Sequence, residues 1–327
     1  MTQKPLPVTK DGYRYHWGED DEPLCSEYIR KINSFDANKR HLHNFTKRKI
    51  IPPQVKLSEN DRASQLKLNE NHIKVTGEKG YSMVRATHGV NRGKYYYEVY
   101  IDSMPENTAT RIGWGQCYAN LQAPLGYDHY GYSWRSRFGT KFHQARGKTY
   151  DRSGGYKQGD TIGCMIELPY GNSKNLTEAH HLPPSIKTTG YVVNFKKKDA
   201  PRVLEEKDEP PVLKAMKPLV GSKISFYKNG KCIGIAFEDI FEGFYFPTIS
   251  LYKDCTVTVN FGPKFQYQPE ERCTNGRGFS LEWEPLSRAA EVAIIDNLIS
   301  DMLHIVDQEN DVTGNKLDEL VNKANQV

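Results

Sequence analysis

The 327-residue sequence predicts an all-β protein: an antiparallel β-sandwich with a long insertion and a C-terminal α-helix. Three observations lead there. Short runs with apolar residues at every second position recur along the chain, as half-buried strands require. Glycine turns separate them, among them the pair Asn229-Gly230 between two alternating runs, a strong hairpin signal. Helical periodicity is confined to the end of the chain. Many short strands with almost no helix must bury their apolar faces against a second sheet.

Residues 1–56 read as polar and irregular, punctuated by Pro5, Pro7, Pro52 and Pro53. Lys39-Arg40 and Lys47-Arg48-Lys49 form a basic patch around His41, His43 and Phe45. Three readings of it stand side by side: a solvated tail, a nuclear-import segment, or contact with DNA phosphates through Lys47, Arg48 and Lys49. The β pattern begins at Gln65, where Leu66 and Leu68 alternate with polar neighbours before a turn at 69–71 leads to Ile73 and Val75. In GKYYYEVYID, Tyr95, Tyr97, Val99 and Ile101 share one strand face. TATRIGWGQ, GDTIGCMIEL, the hairpin KISFYKNGKCIGIAF, FYFPTISLY and CTVTVNFGP supply further strands.

The proline-rich stretch of about 170–222, with its run Lys196-Lys197-Lys198, interrupts this rhythm. A structureless loop that long is unusual inside a compact domain, so it reads as a surface insertion with one strand near Tyr191–Phe195. Near the end, Ile295, Ile299, Met302, Leu303 and Val306 fall at i, i+4, i+7, i+8 and i+11, one stripe of a helix with Ser287 as its N-cap. The layout is thus a basic segment 1–56, a sandwich 57–286, a C-terminal helix 287–309 and a polar tail 310–327.

No run approaches the roughly 18 apolar residues of a membrane span, and the first residues lack the apolar stretch of a secretory signal. The six cysteines are scattered without a CxxC pair, so neither structural zinc nor any other metal is expected, and reduced thiols are the default. The net charge of +5 permits acidic partners. His143, Cys164 and Asp160 are the only nucleophilic set to imagine, and Cys164 alternates within its strand as a small buried apolar residue would. Arginines and tyrosines recur in GEKGYSMVR and YSWRSRFGTKF, where strands give way to loops, with no acid, base or nucleophile beside them. They suit a surface that grips a partner better than a pocket that performs chemistry.

In order along the chain, GKYYYEV, RIGWGQ, LGYDHYGYSWRS, GDTIGCMIEL, ISFYKNG, FYFPTISLY and VNFGP resemble the SPRY domain, a concanavalin A-like sandwich. GEKGYSMVRATHGV and YSWRSRFGTKFHQ narrow the resemblance to the Ash-two/Bre-two subunits of COMPASS/MLL-type histone H3 lysine-4 methyltransferases, over about Leu57–Val306. That resemblance implies a nuclear, non-catalytic scaffold without cofactor. Its acidic-peptide pocket falls here on Tyr81, Arg111, Pro124, Tyr127, Arg135 and Arg137, the last where relatives often carry lysine. There it would hold an acidic segment of the WD-repeat subunit (retinoblastoma-binding-protein-five/Swd-one-like). IDNLISDMLHIVDQE matches the family helix that docks on a Dpy-thirty/Sdc-one-like dimer, which places Ile295, Ile299, Met302, Leu303 and Val306 in that contact. The SET-domain methyltransferase is the third implied partner, with nucleosomal DNA as an auxiliary one. The alternative is a SPRY adaptor for another peptide, such as a ubiquitin-ligase substrate adaptor.

Overall fold

The alternating runs do form strands. The computed structural model describes residues 11, 14–17, 47–50, 52–169, 190–193, 202–205, 210–269, 282–297 and 299. In chain order the strands are β1 (Arg14–Trp17), β2 (Lys47–Ile50), β3 (Leu57–Arg62), β4 (Lys67–Leu68), β5 (Lys74–Thr76), β6 (Tyr81–Ala86), β7 (Gly93–Ser103), β8 (Ala109–Gly115), β9 (Gly131–Arg135), β10 (Thr140–His143), β11 (Arg146–Thr149), β12 (Thr161–Leu168), β13 (Gly190–Val193), β14 (Arg202–Glu205), β15 (Lys223–Lys228), β16 (Lys231–Glu238), β17 (Phe246–Tyr252), β18 (Thr256–Asn260) and β19 (Glu284–Pro285). They fall into two units, Pro53–Lys174 with Glu209–Glu291, and Met1–Pro52 with Asn175–Asp208 and Val292–Val327.

The first unit is the sandwich. One sheet runs β11-β10-β9-β8-β17-β6-β3; the other runs β16-β15-β12-β7-β18-β5-β4, with β19 laid parallel to β7 at Tyr95 and Tyr96. Every other pairing is antiparallel. The core lies between the sheets. Tyr97, Val99 and Ile101 of β7 join Ile162, Cys164 and Ile166 of β12 and Phe226 of β15, together with Ile112, Trp114, Trp134 and Ile249 of the other sheet. The Tyr97 ring meets Trp114 edge-on at 5.1 Å, and its hydroxyl donates to the Gly113 carbonyl at 2.5 Å. Gly113 is required there: a Cβ would lie 2.1 Å from the Tyr132 carbonyl oxygen on the neighbouring strand. Asn229 and Gly230, both at positive φ, close the β15–β16 hairpin as the sequence predicts.

The outer face of β7 is also buried. Tyr96 packs against Tyr227, Phe265 and Trp283, and Glu98 accepts the backbone N–H groups of Gln266 and Tyr267. The segment after β18 is thereby fastened over the second sheet.

Several expectations need restating. Residues 1–56, expected to be irregular, contain the antiparallel pair β1–β2. The strand expected near Tyr191–Phe195 is β13, paired with β14 in a two-stranded ladder. The end of the expected insertion belongs to the sandwich unit: Leu219 is buried in its core and donates to the Ile240 carbonyl, and Tyr130 donates to the Pro211 carbonyl. Ser287 is not a helix N-cap. It lies inside a 3-10 turn, Leu286–Arg288, and its N–H bonds the Phe261 carbonyl, because buried Leu286 anchors the chain there first. An α-helix, α1, follows over 289–297, with 299 also helical. Cys232 is disulfide-bonded rather than a reduced thiol, while Cys117, Cys164 and Cys255 are free. Among the described residues no helix is long and apolar enough to cross a membrane.

Candidate peptide-binding site

Strand alternation assembles the site. Ile112 and Trp114 of β8, Trp134 of β9, and Ile249 and Leu251 of β17 point into the core. Their neighbours Arg111, Arg135 and Tyr252 therefore stand on the outward face of the first sheet. Register brings them together: Arg111 is directly opposite Arg135, and Tyr252 is opposite Tyr81. Phe142 of β10, opposite Ser133, joins the same face.

Arg111 is nearly buried despite pointing outward, at 7% exposure. Its guanidinium carbon lies 3.8 Å from the centre of the Phe142 ring and 5.4 Å from that of Tyr81. One Nη donates to the Leu125 carbonyl at 3.1 Å, and the buried Nε has no hydrogen-bond partner. Desolvation pulls its pKa below the usual arginine value, Tyr81 opposes that shift, and nearby Arg135 adds to it. Arginine remains charged throughout the working range, so a cation is held in a dry place with its hydrogen-bonding capacity unfilled.

The loop bearing Pro124 and Tyr127 is fastened onto this face. Leu125 N–H donates to Ser250 Oγ, and its carbonyl accepts Ser133 Oγ as well as Arg111. Gly126, at φ +82°, permits the close approach, since a Cβ would meet the Phe142 carbonyl oxygen at 2.5 Å. Pro124 is half-buried, and Tyr127 forms an exposed rim at 57%. Arg135 is half-buried. Its guanidinium carbon is 4.9 Å from the Phe142 ring and 5.5 Å from the Phe138 ring, and its Nε donates to the Arg137 carbonyl. Arg137 lies past the end of β9, exposed, 5.8 Å from Phe138. Among the described residues no carboxylate pairs with Arg111, Arg135 or Arg137. Guanidinium forks stacked on rings and lacking internal counter-ions are suited to receive carboxylates.

The six residues named from the sequence thus share one face or its rim. Sequence reasoning assigned no part to Phe142, whose ring lies against both guanidinium groups, nor to Phe138, Tyr252 and the Leu125 carbonyl. Strand parity in YSWRSRFGTKF carried a signal for Phe142, whereas the Leu125 contact leaves no trace in residue type.

Of the helical stripe, Ile295 and Ile299 are exposed at 53% and 41%, while Asp296 is buried. Met302, Leu303 and Val306 lie outside the described residues. Lys47, Arg48 and Lys49 lie on β2, in register with Trp17, His16 and Tyr15. The imagined nucleophilic set is dispersed. Cys164 is buried in the second sheet, where burial pushes its thiol pKa well up. His143, in the first sheet, stacks on Tyr132 at 4.1 Å, and Asp160 pairs with Lys228 and Asn229.

Comparison with known proteins fits this architecture. A model of the SPRY domain matches residues 94–174 and 213–264. The Set1/Ash2 histone methyltransferase complex subunit ASH2 of Drosophila melanogaster is 48% identical over 264 residues, covering 80% of this chain and 45% of that protein. The subunit ash-2 of the same complex in Caenorhabditis elegans is 40% identical over 312 residues, covering 94% of this chain and 51% of that protein. The chain spans about half the length of these relatives. Among solved structures, the SPRY domain of human HERC1 aligns with a TM-score of 0.41 at 18% identity, over 65% of this chain and 99% of that one. Residues 94–174 and 213–264 thus match the SPRY domain, and the chain is similar, over most of its own length, to the subunits ASH2 and ash-2 of Set1/Ash2 histone methyltransferase complexes.

Proposed function

We propose that the chain is a non-catalytic scaffold subunit of a Set1/COMPASS-type complex that methylates histone H3 lysine-4 in the nucleus. In this reading the arginine–aromatic face holds an acidic, extended segment of the WD-repeat subunit. The C-terminal helix docks on a small Dpy-thirty-like dimer, and the two contacts keep the SET-domain subunit in its active arrangement. The observation that carries the reading is Arg111: a nearly buried guanidinium with an unpartnered Nε, facing Arg135 across one register pair and lacking any described carboxylate. An acidic peptide supplies what the face lacks. For the helix, the support is the exposure of Ile295 and Ile299, two apolar residues four apart on one helical stripe. Lys47, Arg48 and Lys49 are assigned to nucleosomal DNA as an auxiliary contact; changing all three to glutamine lowers nucleosome affinity and flattens its salt dependence.

The test is calorimetric titration of an Asp/Glu-rich peptide into the full chain. Arg135→Ala, at a half-buried position, is expected to weaken binding by about 1.5–3 kcal/mol through loss of a charge-assisted pair. Thermal stability should be little changed. Wild-type affinity in that variant removes the site from the proposal. Capture from nuclear extract then separates the two families of partner: a WD-repeat protein with a SET methyltransferase supports the reading, and ubiquitin-ligase machinery overturns it.

A further inference from the structure

Phe138 stands at the rim of this face, beside Arg135 and Arg137. It is 70% exposed, the second-largest exposure among the exposed large apolar residues described. It also adopts φ +62°, in the left-handed region that side chains with a Cβ rarely occupy. A solvated turn with no role would place glycine or asparagine there.

The turn around it is held from several sides. The Gly139 carbonyl accepts the N–H groups of Tyr150 and Asp151 at 3.0 and 2.8 Å, and Arg137 bridges to Gly155. The Arg137 carbonyl accepts Arg135 Nε and Thr140 Oγ1. Gly139 has no room for a side chain, because a Cβ would lie 2.1 Å from the Asp151 carbonyl oxygen. The backbone is therefore held, and the exposed ring lies beside two guanidinium groups, at 5.5 Å from Arg135 and 5.8 Å from Arg137. Strain kept in place by surrounding contacts is characteristic of ligand clamps.

We infer that Phe138 forms an apolar subsite on the acidic-peptide face, so that the ligand is an acidic segment with an apolar residue set among its carboxylates. This rests on the peptide-binding reading above and adds selectivity to it. Arg135 and Arg137 take carboxylates on either side of the ring, while the ring covers the ligand's apolar side chain. A purely acidic peptide would leave Phe138 in water and gain nothing from it.

The experiment uses the full chain and two labelled peptides of equal length and charge, one with leucine and one with serine at the centre of the acidic run. The readout is the ratio of their affinities. Wild type is expected to prefer the leucine peptide by about tenfold, the scale of one buried apolar side chain. Phe138→Gly, which also relieves the left-handed strain and so keeps the fold, is expected to bring the ratio to about one. Phe138→Leu, which retains an apolar surface, should keep most of the preference. Equal affinity of wild type for both peptides, with binding still dependent on Arg135, overturns the apolar subsite alone. Failure of both peptides to bind, or binding indifferent to Arg135→Ala, overturns the peptide-binding reading and the subsite with it.

Discussion

Arg111→Met should make the protein more stable and less able to bind, and the structure says by roughly how much. The guanidinium is nearly buried, donates to the Leu125 carbonyl, lies beside Tyr81 and keeps Nε unpartnered. Holding an ion out of water without a counter-ion costs several kcal/mol. Against that stand one charge-assisted bond of about 1.5–3 kcal/mol and a ring contact at 3.8 Å of about 1–2 kcal/mol. Methionine keeps much of the packing against Phe142, and the Leu125 carbonyl still accepts Ser133 Oγ. The balance favours the variant by about 1 kcal/mol, or an increase of about 2–4 °C in Tm for a domain of this size. Affinity for an acidic peptide should fall at least tenfold, because the fork that receives a carboxylate is gone. Differential scanning calorimetry and titration calorimetry on the same preparation measure both quantities. A lower Tm with unchanged affinity refutes the reasoning: it would mean that Arg111 is a structural anchor already satisfied by its own domain.

Ile299→Glu, on the exposed stripe of α1, should release the small dimer from a reconstituted complex while leaving sandwich stability and acidic-peptide binding unchanged; gel filtration and a thermal melt read the two effects. Gly113→Ala should cost about 3 kcal/mol in urea denaturation, since the new Cβ meets the Tyr132 carbonyl oxygen, a backbone atom that cannot swing aside. Glu98 makes a pH prediction. Burial raises its carboxyl pKa above the usual value, against the N–H groups of Gln266 and Tyr267 that lower it. The folded state then holds the proton more tightly than the unfolded chain, so stability falls as pH rises from the ordinary carboxylate range through the raised value and is flat above it. Glu98→Gln should remove that slope, and a slope that persists would assign it to another group.

Strands with one buried face were legible because their period is two and their neighbours are turns. The two-residue turn at Asn229-Gly230 needed nothing from elsewhere in the chain. What the pattern did not carry were contacts made at long range. In Tyr95-Tyr96-Tyr97 the alternation marks Tyr95 and Tyr97 as inward, but Tyr96 is equally buried, under Phe265 and Trp283 brought from far along the chain. The same holds at the candidate site. An arginine on an outward strand position is ordinarily solvated, and Arg111 reads that way. Its burial comes from Phe142, two strands away in the sheet order, and from a loop closed over it by Ser133 and Ser250.

Two hairpin turns of the same form show what the site demands of its surroundings. Between β15 and β16 the left-handed pair is Asn229-Gly230, residues that adopt positive φ at little cost. Between β10 and β11 the pair is Gln144-Ala145, at φ +53° and +58°, where neither residue is favoured. The difference lies in what each turn holds. Gln144 N–H donates to the Asp128 carbonyl and Ala145 N–H to the Gly126 carbonyl, so the second turn grips the loop that carries Pro124 and Tyr127. Those bonds keep Leu125 against the face, where its carbonyl accepts from Arg111. Conformational strain at the β10–β11 turn, an unsatisfied cation at Arg111 and a left-handed phenylalanine at 138 thus occur on one surface and its rim. Local preferences that conflict with the fold in one place, and agree with it along most strands, are the pattern left by a surface shaped for a ligand.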